Sequence, residues 1–402
     1  MPHETPLIAT IAVSLAFAFI GGLIAVRFHL PPLVGYLLAG IAVGPFTPGF
    51  VADVHIAPQL AEIGVIFLMF GVGMHFSVRD LWEVRNIALP GSLVQIAVAT
   101  ILGMGVASLW GWSLGAGLVL GLALSVASTV VLLRALESHG LVNTNNGKIA
   151  IGWLIVEDLI MVLVLVILPP FAETLGGHAG EGHASPYGIL ATLGLTLGKV
   201  GLFVVFMLLG GTRFFPWLLK KVEKTGIREL FTLAVVAIGL GVAFGSAKLF
   251  GVSFALGAFF AGIVIKESDF SHRAVTDTQP LQDAFAVLFF VSVGMLFDPS
   301  ILVKQFVQVL IVLAIIVLGK SLAAFTIVRI LRFSSSTALI VSGALAQIGE
   351  FSFILAGLGV SLGLLSQEGQ SLILAGALLS IILNPLIFNL AKGISAKHIP
   401  TT

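Results

Sequence analysis

The chain has 402 residues, 58% of them hydrophobic and 10% charged, with a formal net charge of +1 and a mean hydropathy of +1.13. Soluble domains carry roughly 25% charged residues, so a soluble core is excluded, and the near-neutral balance excludes a broad electrostatic footprint for nucleic acid. The absence of cysteine excludes disulfides, thiol chemistry and thiolate metal sites.

In chain order, the amino terminus MPHETP lacks the basic region of a cleavable signal, so the first apolar run is expected to be retained. Thirteen apolar runs, each near the ~20 residues that cross hydrocarbon, are expected at 7–26, 30–45, 58–76, 87–109, 114–136, 147–171, 188–211, 229–247, 250–266, 280–298, 301–325, 336–361 and 369–394. The fold class is therefore an all-α membrane protein, read as one transport domain over 1–402. The second and ninth runs are short and Gly-rich, which suits segments buried within a bundle. If the loops alternate sides, one side receives only Lys248 and Lys304, while sixteen Lys and Arg residues fall on the other and Lys199 and Lys320 fall inside spans. That asymmetry makes the basic side cytoplasmic, with the N-terminus outside and the C-terminus inside a bacterial inner membrane.

Three segments recur in order at an offset of about 221 residues. LVGYLLAGIAV resembles ALGAFFAGIVI, VGMHF resembles VGMLF, and Ala123–Leu124 falls on Ala344–Leu345. The reading is a duplication of about 7–171 and 229–394, with 188–211 as a linker helix. An odd number of crossings per offset turns the second copy upside down, as in alternating-access transporters.

Ionisable groups in mid-span cost roughly 2.5–3.5 kcal/mol each on insertion scales and by default mark a pathway. Glu157 and Asp158 lie in the sixth span, Lys320 in the eleventh, and Glu350 with Gln347 in the twelfth. Adjacent helical residues point about 100° apart, so one carboxylate can meet Lys320 while the other faces a cavity. The blander alternative, an internal salt bridge that only orients helices, is disfavoured because two adjacent carboxylates need more than one lysine. The fifth span is interrupted by Ser125, Ser128 and Thr129, and its counterpart LAQIGEFS is polar at the same depth. Both read as discontinuous helices whose unwound carbonyls could help hold a cation. The external loop with His178 and His183 reads as a linker, since two His cannot close a metal site, and Lys199 is given no role.

The motifs LPPLVGYLLAGIAVGP, EIGVIFLMFGVGMHF, ALSVASTVVLLRALE, AIGWLIVEDL, FFVSVGMLFD, GK and QIGEFSF together resemble the monovalent cation/proton antiporter superfamily, most closely its Kef-like, YbaL-type potassium/proton antiporters. The resemblance implies a thirteen-helix homodimer with a panel-like interface domain, a mobile core and two crossed, broken helices. It implies that Asp158 binds proton or monovalent cation in competition, and that Thr129, with Ser128, stands at the first break. It further implies Lys320 as charge partner of the acidic site, with Glu350 and Gln347 on the second crossed helix. Position 157 is Glu where electrogenic members carry Asp and Kef-type members usually Gln; Glu157→Gln is accordingly expected to retain exchange. Gly21–Gly22 would permit close helix approach in the homodimer.

Function is thus expected to be exchange of K⁺ or Na⁺ for protons by alternating access, without enzymatic activity or a cofactor. A ligand-gated Kef-type potassium efflux channel is the alternative, and a non-transporting sensor a third. Kef-like proteins commonly continue into a cytoplasmic nucleotide-binding regulatory domain. No strand–GxGxxG–helix unit occurs in these 402 residues, so such a domain is expected only in a longer form.

Overall fold

The structure, a computed structural model, describes residues 5–48, 56–75, 78–178 and 188–397. The described residues fold into helices α1 (Thr5–Arg27), α2 (Pro32–Val43), α3 (Ala57–His75), α4 (Val78–Leu109), α5 (Leu114–Ser125), α6 (Thr129–Glu137), α7 (Asn145–Phe171), α8 (Gly188–Phe206) and α9 (Thr212–Glu223). The second half continues with α10 (Arg228–Gly245), α11 (Phe254–Lys266), α12 (Ser271–Met295), α13 (Ile301–Lys304), α14 (Phe306–Ala314), α15 (Lys320–Ile330), α16 (Ser335–Ala344), α17 (Glu350–Ser361) and α18 (Gln367–Lys397). Turns of π-helix join α8 to α9 at Met207–Gly211, extend α10 at Ser246–Phe250 and join α14 to α15 at Ile315–Gly319.

Among the described residues, nine helical stretches are long and apolar enough to cross a membrane. The short runs at α2 and α11 and the half-helices α16 and α17 add four shorter apolar helices. The tenth expected span corresponds to α12, whose first half, SHRAVTDTQPLQD, is polar. The seventh falls on α8 and the π-helical turn that joins it to α9. Lys199 lies within α8, with its side chain exposed. His183 lies outside the described residues; the backbone amide of His178 is tied to the carbonyl of Leu362 at 2.7 Å.

Helix starts follow from capping chemistry. Ser113 caps α5 by accepting from the Ala116 amide, and Ser334 caps α16 by accepting from the Thr337 amide. These two serines are 221 residues apart, as are Thr129 and Glu350, the first residues of α6 and α17. Each cap satisfies an amide that a helix start leaves without an intrahelical partner.

Packing divides the helices into two groups. One holds α1, α2 and α3 with α10, α11 and α12; the other holds α4, α5 and α7 with α14 to α18. The groups meet where α2 touches α18 and where α11 touches α7. Inside the first group, backbones approach closely at glycines: Gly40 of α2 lies against Gly294 of α12, and Gly262 of α11 against Gly73 of α3. A methyl group at any of the four would collide with backbone of the facing helix. Gly21 and Gly22 are used in the same way within the chain. They pack on Gly35 and Tyr36 of α2, so the close approach expected at a dimer contact is instead made between α1 and α2.

Candidate functional site

The break between α5 and α6 spans Val126, Ala127 and Ser128, and that between α16 and α17 runs from Leu345 to Gly349. The two breaks cross. The side-chain oxygen of Gln347 accepts from the Ser128 amide at 2.9 Å, and its nitrogen donates to the Ser128 carbonyl at 3.2 Å. Gly349 lies directly on Ser128, where any side chain would collide. Ser352 donates to the Ala123 carbonyl at 2.6 Å, tying α17 to α5. The Ile348 amide donates to Ser380 of α18 at 3.4 Å. Side chains thereby replace the backbone partners that unwinding removes.

α7, capped by Thr144, carries the two carboxylates to this crossing. Glu157 is fully buried and faces the first break. One of its oxygens accepts from the Ala127 amide at 2.8 Å and the other from the Gln95 side-chain nitrogen at 2.6 Å. Asp158, 5% exposed, points elsewhere. Its Oδ2 accepts from the Thr129 hydroxyl at 3.2 Å, and its Oδ1 is buried without a hydrogen-bond partner. Thr129 itself is half-buried and is the most open member of the cluster. Glu350 opens α17 beside Ser128 and Thr129, and its Oε2 is also buried without a partner. The charges of both Glu350 and Glu157 act on Asp158.

Lys320 is fully buried on α15, immediately after the π-helical turn. The expectation was an ion pair with a carboxylate. Instead its ammonium donates to the Gln347 carbonyl at 2.8 Å, and among the described residues no carboxylate oxygen lies within 4.0 Å of it. Glu157 acts on it only through longer-range electrostatics. The unwound carbonyls are likewise less free than expected. Those of Ser125, Ser128 and Gln347 already accept from Gln95, Gln347 and Lys320. The Ser128 hydroxyl is engaged as the cap of α6, accepting from the Val131 amide at 3.4 Å.

The seven candidate site residues Ser128, Thr129, Glu157, Asp158, Lys320, Gln347 and Glu350 thus converge on one crossing, and two more belong with them. Gln95 of α4 and Trp153 of α7 are fully buried, and the indole N–H donates to the Gln95 oxygen at 3.0 Å. A glutamine within LPGSLVQIAVAT was the available signal for the first. The tryptophan carried none, because an indole in an apolar helix reads as packing.

The family described as sodium/hydrogen exchanger, transmembrane, matches residues 15–390. The chain belongs to that family. It is 59% identical over 397 residues to YbaL, a proposed cation/proton antiporter of Escherichia coli (strain K12), covering 99% of this chain and 70% of that protein. It is 34% identical over 392 residues to K(+) efflux antiporter 4 of Arabidopsis thaliana, covering 96% of this chain and 64% of that one. Among solved structures, the exchanger's fold matches that of the sodium proton antiporter MjNhaP1 from Methanocaldococcus jannaschii at pH 8, with a TM-score of 0.69 and 18% identity. That match covers 97% of this chain and 98% of the other, and at this identity it speaks to fold alone.

Proposed function

We propose that the exchanger carries a monovalent cation, K⁺ or Na⁺, against protons across a bacterial inner membrane, and that the two compete at Asp158. Family membership and the antiporter names of the two relatives support exchange. The observation that carries the site is the buried Asp158 Oδ1, the one oxygen of the α7 carboxylate pair left without a partner, beside the half-buried Thr129 at the crossing of two broken helices. A bare carboxylate at this depth is costly, and a proton or a small cation neutralises it. If only the neutralised site moves between the two membrane faces, the fluxes are coupled. Thr129 orients Asp158, Glu350 adds negative charge opposite the entering ion, and Lys320 offsets charge from behind the second break.

The group of helices holding α7 and the two breaks is proposed as the moving body, and the group built on α2, α3, α11 and α12 as its frame, paired with a second copy in a homodimer. The corresponding caps and glycine contacts support two inverted repeats.

The test is proton flux in proteoliposomes with Na⁺, K⁺, Li⁺ and Rb⁺ added in turn. Wild type is expected to show saturable flux driven by one or more of these ions, and Asp158→Asn to lose it while eluting as a folded particle. Normal transport by Asp158→Asn overturns the site. Single-channel currents in planar bilayers overturn exchange in favour of a gated pore.

A further inference from the structure

The hydrogen bonds around Glu157 have a direction, and it is set from a distance. An indole N–H only donates. The Trp153 indole therefore fixes the buried Gln95 amide with its oxygen toward Trp153 at 3.0 Å. The amide's nitrogen must then point the other way, donating to Glu157 at 2.6 Å and to the Ser125 carbonyl at 2.9 Å. Ser125 is the last residue of α5, so that carbonyl has lost its helical partner. The second Glu157 oxygen receives the Ala127 amide, which the break has likewise stripped of a helical acceptor. Glu157 thus faces two fixed donors, neither of which can turn round.

We propose that Gln95 is a positioning residue of the exchange site, locked by Trp153 so that position 157 must accept on both oxygens, and that Glu157 in consequence anchors the first helix break and does not carry the exchanged ion. This rests on the exchange reading of Asp158. A glutamine at 157 offers one acceptor and one NH₂ group. Whichever way it turns, that NH₂ opposes either the Ala127 amide or the Gln95 nitrogen, leaving buried donors unpaired. A proton on Glu157 would weaken the acceptor that faces one of the two donors and add a buried O–H needing an acceptor of its own, and a cation there would compete with both N–H donors for the same two oxygens. Asp158, with one free oxygen, has neither obstacle. The retention of exchange expected for Glu157→Gln from sequence thus gives way to a different expectation.

The test is a swap. In Gln95→Glu/Glu157→Gln the new amide donates to the new carboxylate and accepts from Ala127, while the carboxylate's second oxygen receives the indole N–H. The site keeps its net charge, and only the Ser125 carbonyl loses its donor. Glu157→Gln alone is expected to lower the melting temperature in detergent by about 2–4 °C and the maximal exchange rate by about tenfold or more. The swap should recover most of both. A Glu157→Gln protein that melts and transports like wild type, or a swap no better than the single variant, overturns the proposal.

Should Glu157→Gln fail to fold, Gln95→Met keeps the volume and removes both donors. The maximal rate is then expected to fall while the cation KM stays within about twofold, since Asp158 and Thr129 are untouched. A KM that rises in step with the loss of rate would make Gln95 part of the binding site and overturn the positioning role. If no cation drives proton flux in wild type, the exchange reading fails, and the melting comparison still decides the lock by itself.

Discussion

Thr129 is the residue through which Asp158 is both held and reached: its hydroxyl donates to Oδ2, and it is the most open side chain of the cluster. Hydrogen bonds to a charged group contribute about 1.5–3 kcal/mol. Thr129→Val, which keeps shape and removes the donor, is expected to raise the cation KM by about tenfold or more, whereas Thr129→Ser stays near wild type. Flux measured against cation concentration checks both. Lys320 calls for a different experiment. Its ammonium is bonded to the Gln347 carbonyl, so Lys320→Ala strands a buried acceptor and leaves a cavity as well as removing charge. A loss of about 1.5–3 kcal/mol is expected from the lost charged hydrogen bond, with a cavity cost added to it, read as a lowered melting temperature alongside any shift in the pH profile. The residues that sequence made visible were those whose charge is expensive in an apolar span. Gln95 and Trp153 stayed hidden because an uncharged side chain raises no such alarm, and because their partners lie on three different helices.

At the scale of the element, the first break is held by side chains of the second. Ser128, at the end of the first, is gripped on both its amide and its carbonyl by Gln347 of the second. Gly349 completes the crossing because nothing larger fits over Ser128. Gly349→Ala is therefore expected to push the breaks apart at a cost of about 1–3 kcal/mol from overpacking, to lower the melting temperature and to abolish exchange, whereas Gly357→Ala, which meets open space on α17, serves as the control that leaves both intact. The existence of the breaks was readable from hydroxyls interrupting aliphatic runs. Their internal wiring was not, since a carbonyl taken by a side chain looks in sequence like one free to bind an ion. The span expected at 280–298 falls on the apolar second half of α12, and the polar first turns of that helix lie outside it because nothing apolar marks them in the sequence.

The whole molecule divides where its helices pack most thinly, at α2 against α18 and α11 against α7. The chain has no cysteine, so spin labels can be introduced without removing any. Labels at Phe46→Cys, at the end of α2, and Ser361→Cys, at the end of α17, report between the two groups; labels at Phe46→Cys and Leu249→Cys report within the first. All three sites are exposed. The first distance is expected to change when the transported cation is added and the second to stay fixed. A constant first distance across pH and cation would count against a moving body. The proposed duplication is traced at this scale by VGM and AGI, which occur in both halves with their glycines at helix crossings that leave no room for a side chain. The chemistry was not duplicated. The positions 221 residues after Glu157 and Asp158 are Leu378 and Leu379.

The glycine contacts carry one more implication. Gly40 against Gly294 and Gly73 against Gly262 are the same junction made twice with the halves exchanged, and the thin seams follow suit, with α2 on α18 in one and α11 on α7 in the other. If the proposed body moves between two such similar joints, it has little intrinsic reason to rest against either. Its idle posture is then decided by the few residues at which the seams differ, and substituting one seam's side chains for the other's should tilt that balance without touching a single ion ligand.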